Sequence, residues 1–131
     1  MKIEKVILHS ISCNDEVSRK ILPFLKGEYF QENQYKVIFE IINEYVQKYN
    51  SLPSKEAISI AMDKLPQTET EQKQCQETIE DIFTVSDDNE PQWIVNEAEN
   101  FCKEKAVYNA ILESIHIIDG KSQDKSENAI P

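Results

Sequence analysis

The residues that could do chemistry are few and scattered. Cys13, Cys75 and Cys102 form an odd set at wide spacings with no Cys-x-x-Cys pair, so the pattern offers neither a disulfide framework nor a zinc site. His9 and His116 stand far from each other and from the cysteines in sequence, whereas metal ligands normally come in close pairs such as i, i+4. Ordinary structural positions are the expected role of both. A Ser-His-Asp or Cys-His arrangement could be assembled from any chain of this composition, and no spacing recommends one here. Gly27 and Gly120 are the only glycines, and neither lies in G-x-x-x-x-G-K-[ST] or G-x-G-x-x-G, so nucleotide binding by this segment is not expected. Glu69, Glu71, Glu77, Glu80, Asp81 and the run Asp87 to Glu90 could recruit a basic partner or a divalent ion. A solvated helix face and turn is the plainer reading. No catalytic, cofactor-binding or metal-binding residue is assigned.

The composition narrows the class. At 131 residues, with 40% hydrophobic and 29% charged residues, the chain suits one domain that buries roughly two-thirds of its unfolded surface. Two glycines and five prolines are too few for the many turns of an all-β fold, which leaves helix. The net charge of −10 argues against strong direct binding to nucleic acid, where lysine and arginine must neutralise phosphates. Arg19 is the single arginine, and the lysines alternate with glutamates, as in Lys103-Glu104-Lys105, with no run that would track a phosphate backbone or an anionic membrane. The N-terminus lacks a signal-peptide pattern, and no stretch approaches the roughly 18 apolar residues of a membrane span. A reducing cytoplasm is the expected compartment.

The elements that position these residues read as helices. Tyr35 to Ser54 carries Ile38, Ile41, Ile42, Tyr45, Val46 and Tyr49 at the spacing of one helix face, which predicts the central core helix. Asn50-Ser51 and Leu52-Pro53 end it, and Ser54 can cap the next helix, which runs to Leu65 before Pro66. Ahead of it, Ile3 to Ser12 should dock on that core helix, and Asn14 or Asp15 can cap a second helix reaching about Leu22. Phe24 to Phe30 form an apolar connector in which Gly27 can take positive φ. Thr68 with Glu71 matches the capping box of a helix from Glu71 to about Val85.

The last helix is expected from about Gln92 to Ile118. Its first half has one apolar stripe, Ile94, Ala98, Phe101 and Cys102. Its second half carries Val107, Tyr108, Ile111, Leu112, Ile115, Ile117 and Ile118, more than one face, with no later apolar segment to cover them. Val107, Tyr108, Ile111, Leu112, Ile115 and Ile118 are the candidate self-association surface. Trp93 suits either an interface anchor or a core position at the helix start. Residues 120–131 read as a polar linker or frayed end after a helical domain over residues 1–119. The expected fold is all-α, a compact globule of about five or six helices with a long projecting C-terminal helix.

Several stretches taken together resemble a known family. Glu28-Tyr29-Phe30 stands ahead of a long helix, Phe39 is followed by Ile41-Ile42 and Tyr49, and Leu52-Pro53-Ser54 opens the next helix. Phe83 follows Thr68-Glu69-Thr70-Glu71, then comes WIVNEAENFCKEKAVYNAI from Trp93 to Ile111, and finally Ala129-Ile130-Pro131. In this order they resemble the N-terminal domain of DnaB-like replicative DNA helicases of T-even-type bacteriophages. The resemblance covers nearly the whole chain, although single motifs in it are not specific. It implies a parent that is an ATP-dependent 5′–3′ DNA helicase, with ATP and Mg bound by a RecA-like motor domain that this segment lacks. It further implies N-terminal domains that pair through a helical hairpin into a trimer of dimers on a hexameric ring, where primase and a loader engage to form the primosome. The second arm of that hairpin is missing here. On this reading the segment is not an enzyme, holds no cofactor, and works in the cytoplasm of the infected host. The alternative is a free-standing small acidic phage adaptor or inhibitor that binds a basic protein partner.

Overall fold

Side-chain caps set where several helices begin. The Asn14 carboxamide oxygen accepts from Val17 N–H at 3.1 Å, Ser54 Oγ from Ala57 N–H at 3.0 Å, and Thr68 Oγ1 from Glu71 N–H at 3.1 Å, each satisfying an amide that the first helical turn leaves open. The computed structural model describes residues 2–86 and 88–128, with side chains as far as Ile118. Among these residues there are six α-helices and no strand: α1 (Ile3–Cys13), α2 (Asp15–Ile21), α3 (Asn33–Tyr49), α4 (Lys55–Asp63), α5 (Glu69–Phe83) and α6 (Pro91–Asn128). Short 3-10 turns at Leu22–Phe24 and Gly27–Tyr29 form the connector ahead of α3. The fold is all-α, as the composition and periodicity indicate.

The centre of the molecule is α1, not α3. Val6, Ile7, Leu8, His9, Ser10, Ile11 and Ser12 are all buried, so this helix is enclosed on every side. It packs against α2, α3, α5 and α6. Its polar residues tolerate this because each has a partner: Ser10 Oγ donates to the Val6 carbonyl at 2.9 Å and Ser12 Oγ to the Leu8 carbonyl at 2.7 Å. On α3 the inner face is Tyr35, Ile38, Phe39 and Ile42. Tyr49, placed on that face by spacing, is instead 56% exposed, because the face that meets α1 and α5 is turned toward Phe39.

Two other expectations are corrected. Gly27 is not in a positive-φ conformation; it lies beneath the exposed Glu40 side chain of α3, whose carboxylate would have to swing aside for a Cβ there. The left-handed residue is Asn50, at φ 53°, which closes α3 with its N–H on the Val46 carbonyl. The last helix does not stop near Ile118 but runs on to Asn128, so residues 120–128 have helical backbone where a linker was expected. No proline interrupts that stretch, and one interior glycine costs only about 1 kcal/mol. Ala129, Ile130 and Pro131 lie outside the described residues.

If α1 is the hub, truncating it should cost far more than truncating the end of α3. Ile11→Ala should lower the unfolding free energy by about 2–5 kcal/mol, whereas Tyr49→Ala should change it by less than about 1 kcal/mol. Urea denaturation of the two variants makes the comparison, and the reverse order would put the core elsewhere.

Candidate functional site

The two halves of α6 have different surroundings. Over its first half Ile94, Val95, Ala98, Phe101 and Cys102 are buried in the common core. Phe101 is held by aromatic contacts: its ring centroid is 5.7 Å from that of Phe30, which is 5.3 Å from that of Phe39 on α3. Farther along, Asn109 Nδ2 donates to the Glu28 carbonyl at 3.2 Å, tying α6 to the connector. From Ala110 to Ile118 every residue is exposed. The helix therefore leaves the globule at about Asn109 and projects.

The projecting part is apolar where it should be wet. Val107, Tyr108, Ile111, Leu112, Ile115, Ile117 and Ile118 are between 41% and 63% exposed. At 100° per residue, the six candidate residues share an arc of roughly 140°, while Ile117 falls outside it on the far side. Tyr108, Ile111, Ile115 and Ile118 follow the alternating three- and four-residue spacing of a coiled-coil seam, and Val107 and Leu112 widen it on either side. Lys105 Nζ sits 5.9 Å from the ring centroids of both Phe101 and Tyr108, bridging the buried and exposed halves. Trp93 is 44% exposed at the start of the same helix, so it is not the core anchor; Ile94 beside it is the buried residue. Glu97, Asn100 and Glu104 separate Trp93 from the apolar stripe along that side of α6.

The titratable groups are occupied structurally or solvated. His9 is buried, and since a carbonyl can only accept, its Nδ1–H donates to Ile82 O at 2.8 Å, at the C-terminal end of α5. Cys13 Sγ lies 3.8 Å from the same nitrogen, which is therefore not a base for that thiol. Burial pushes the Cys102 thiol up to about 11. His116 is exposed on the projecting helix. Of the acidic patch, Glu80 pairs with Lys55 at 2.6 Å and Asp81 with Lys5 at 3.8 Å, while Glu69, Glu71 and Glu77 face solvent. Asp87 lies outside the described residues. Among the described residues no group of three or more His, Cys, Asp or Glu is placed to hold a metal ion, and no helix is long and apolar enough to cross a membrane.

No family model matches the chain. Over 113 residues it is 28% identical to a DnaB-like replicative helicase of Enterobacteria phage T4, a match that takes in 86% of this chain and 23% of that protein. The chain is a distant relative of that helicase. It spans less than a quarter of the length of the helicase it matches.

The exposed stripe on α6 was legible from the sequence because its apolar residues cover more than the one face that a helix lying on a core presents. The outward position of Trp93 was not, since a tryptophan beside an isoleucine at a helix start fits either side. The thiols offer a direct check on this site geometry. Cys13 is exposed while Cys75 and Cys102 are buried, so at pH 8 a thiol reagent should modify one cysteine rapidly and two slowly. Cys13→Ser should remove the rapid phase; a rapid phase that survives would mean that the core around Cys75 of α5 or Cys102 of α6 is open to solvent.

Proposed function

We propose that this chain is the N-terminal assembly and partner-docking domain of a phage replicative DNA helicase. The observation that carries the proposal is the bare apolar stripe on the projecting half of α6, in a chain related to a replicative helicase over 86% of its own length. With no phosphate loop in its sequence, this segment would contribute binding surfaces, and the ATP- and Mg-dependent motor would lie in the part of the protein that corresponds to the remainder of the relative. The full-length hexamer would unwind duplex DNA at the fork, in the cytoplasm of the infected cell. A net charge of −10 favours protein partners, a primase and a loader among them, over direct grip on DNA.

Self-association is the part of this role that the stripe supports best. A stripe of roughly 140° is wider than a two-stranded seam requires, and it suits a helix packed in a bundle. Each half-exposed isoleucine or leucine contributes about 1 kcal/mol on becoming fully buried. Several must act together to offset the cost of association, about 4–15 kcal/mol. The contact should therefore depend on the stripe as a unit and tolerate salt, since no charge lies within it.

Sedimentation analysis of the chain tests this. The parent should associate reversibly at micromolar concentrations, and Ile111→Asp with Ile115→Asp should be monomeric with unchanged far-UV circular dichroism, because both residues are exposed. A double variant that associates as the parent does would place the interface elsewhere.

A further inference from the structure

A groove of about 340 Å3 lies between α3 and α4. Ala57 and Ala61, one turn apart on α4, leave its floor free of side-chain bulk. Tyr45 and Tyr49 of α3 form a wall, with ring centroids 4.7 Å apart and Lys48 Nζ 5.3 Å from the Tyr49 ring. Lys48 and Lys64 line the groove with Glu44 as the one acid, so its local balance is positive in a chain whose net charge is −10. An aromatic-walled groove with cationic edges is complementary to a bulky aromatic residue carried on an acidic segment.

The chain itself displays such a segment. Trp93 is exposed and follows Asp88 and Glu90, which are exposed as well. Ser86 Oγ donates to the Asp88 carboxylate at 2.7 Å, Asp88 N–H donates back to Ser86 Oγ at 3.2 Å, and Pro91 opens α6 shortly afterwards.

We propose that the α3–α4 groove receives Trp93 of a second copy of this chain, with Asp88 and Glu90 set against Lys48 and Lys64. Indole packs on the tyrosine wall over the two alanines, and the lysines meet both the indole face and the carboxylates. The contact joins two different patches, so it is head-to-tail and can continue round a closed ring, unlike a self-complementary pairing of α6 stripes. It uses no residue of the α6 stripe and stands apart from the interface proposed above.

Trp93 is the only tryptophan, so tryptophan emission reports the surroundings of this residue. The experiment uses the full chain carrying Ile111→Asp and Ile115→Asp, in which the α6 interface is disabled. As its concentration rises toward the millimolar range, the emission maximum should move to shorter wavelength and acrylamide quenching should fall several-fold. Adding Lys48→Glu with Lys64→Glu should abolish both changes, and adding Asp88→Lys with Glu90→Lys to those should restore them. Emission and quenching that do not depend on concentration would overturn the proposal, as would changes that persist in the lysine-to-glutamate variant. Association of the parent with Trp93 still open to quencher would remove this contact and leave the α6 interface standing.

Discussion

A helix enclosed on all sides sets the terms for the rest of this molecule. Val6 to Ser12 of α1 are all buried, and four other helices are arranged round it to supply the cover. Burying a histidine and two serines in that helix costs stability unless every polar atom is partnered. The serines bond back to carbonyls one turn earlier, which makes them self-sufficient, but His9 reaches across to the Ile82 carbonyl at the end of α5. That bond couples the position of α5 to α1. The turn after α5 then delivers the chain to Pro91, where α6 begins with its first half laid against the same core.

The same constraint explains why α6 divides. Cover for α1 is complete once Ile94 to Cys102 are in place, and the aromatic cluster of Phe30, Phe39 and Phe101 closes the core at that point. From Val107 to Ile118 the apolar residues pack against nothing among the described residues, yet valine, tyrosine, isoleucine and leucine recur there at heptad spacing. A solitary surface helix is stable with a polar outer face, and a stripe this wide on an exposed helix is the feature on which the proposed interaction surface rests. The proposed role as an assembly and docking domain follows from that surface together with the helicase relationship.

Much of the architecture could be read from sequence because it is encoded locally. Asn14, Ser54 and Thr68 cap helices at the positions their neighbours dictate, and Asn50 stops α3 in the left-handed conformation. What stayed hidden depends on tertiary partners. The seven-residue buried run in α1 includes Ser10, Ser12 and His9, so its polar content disguises a helix that is enclosed all round, whereas α3 has the cleaner apolar periodicity. The nearness of Gly27 to the Glu40 side chain is a long-range fact with no local signature. The extension of α6 past Gly120 reflects cumulative helix propensity overriding one weak residue. The α3–α4 groove exists because Ala57 and Ala61 happen to face Tyr45 and Tyr49 across a helix crossing, and no single stretch reveals a crossing.

The most direct test of the central claim is amide hydrogen exchange along α6 as a function of protein concentration. If the stripe is the surface through which copies assemble, residues 107–118 should exchange rapidly in dilute solution and become protected as association proceeds, while residues 94–102 stay protected throughout. Association, seen as a rise in mass, with residues 107–118 unprotected at every concentration would contradict the account.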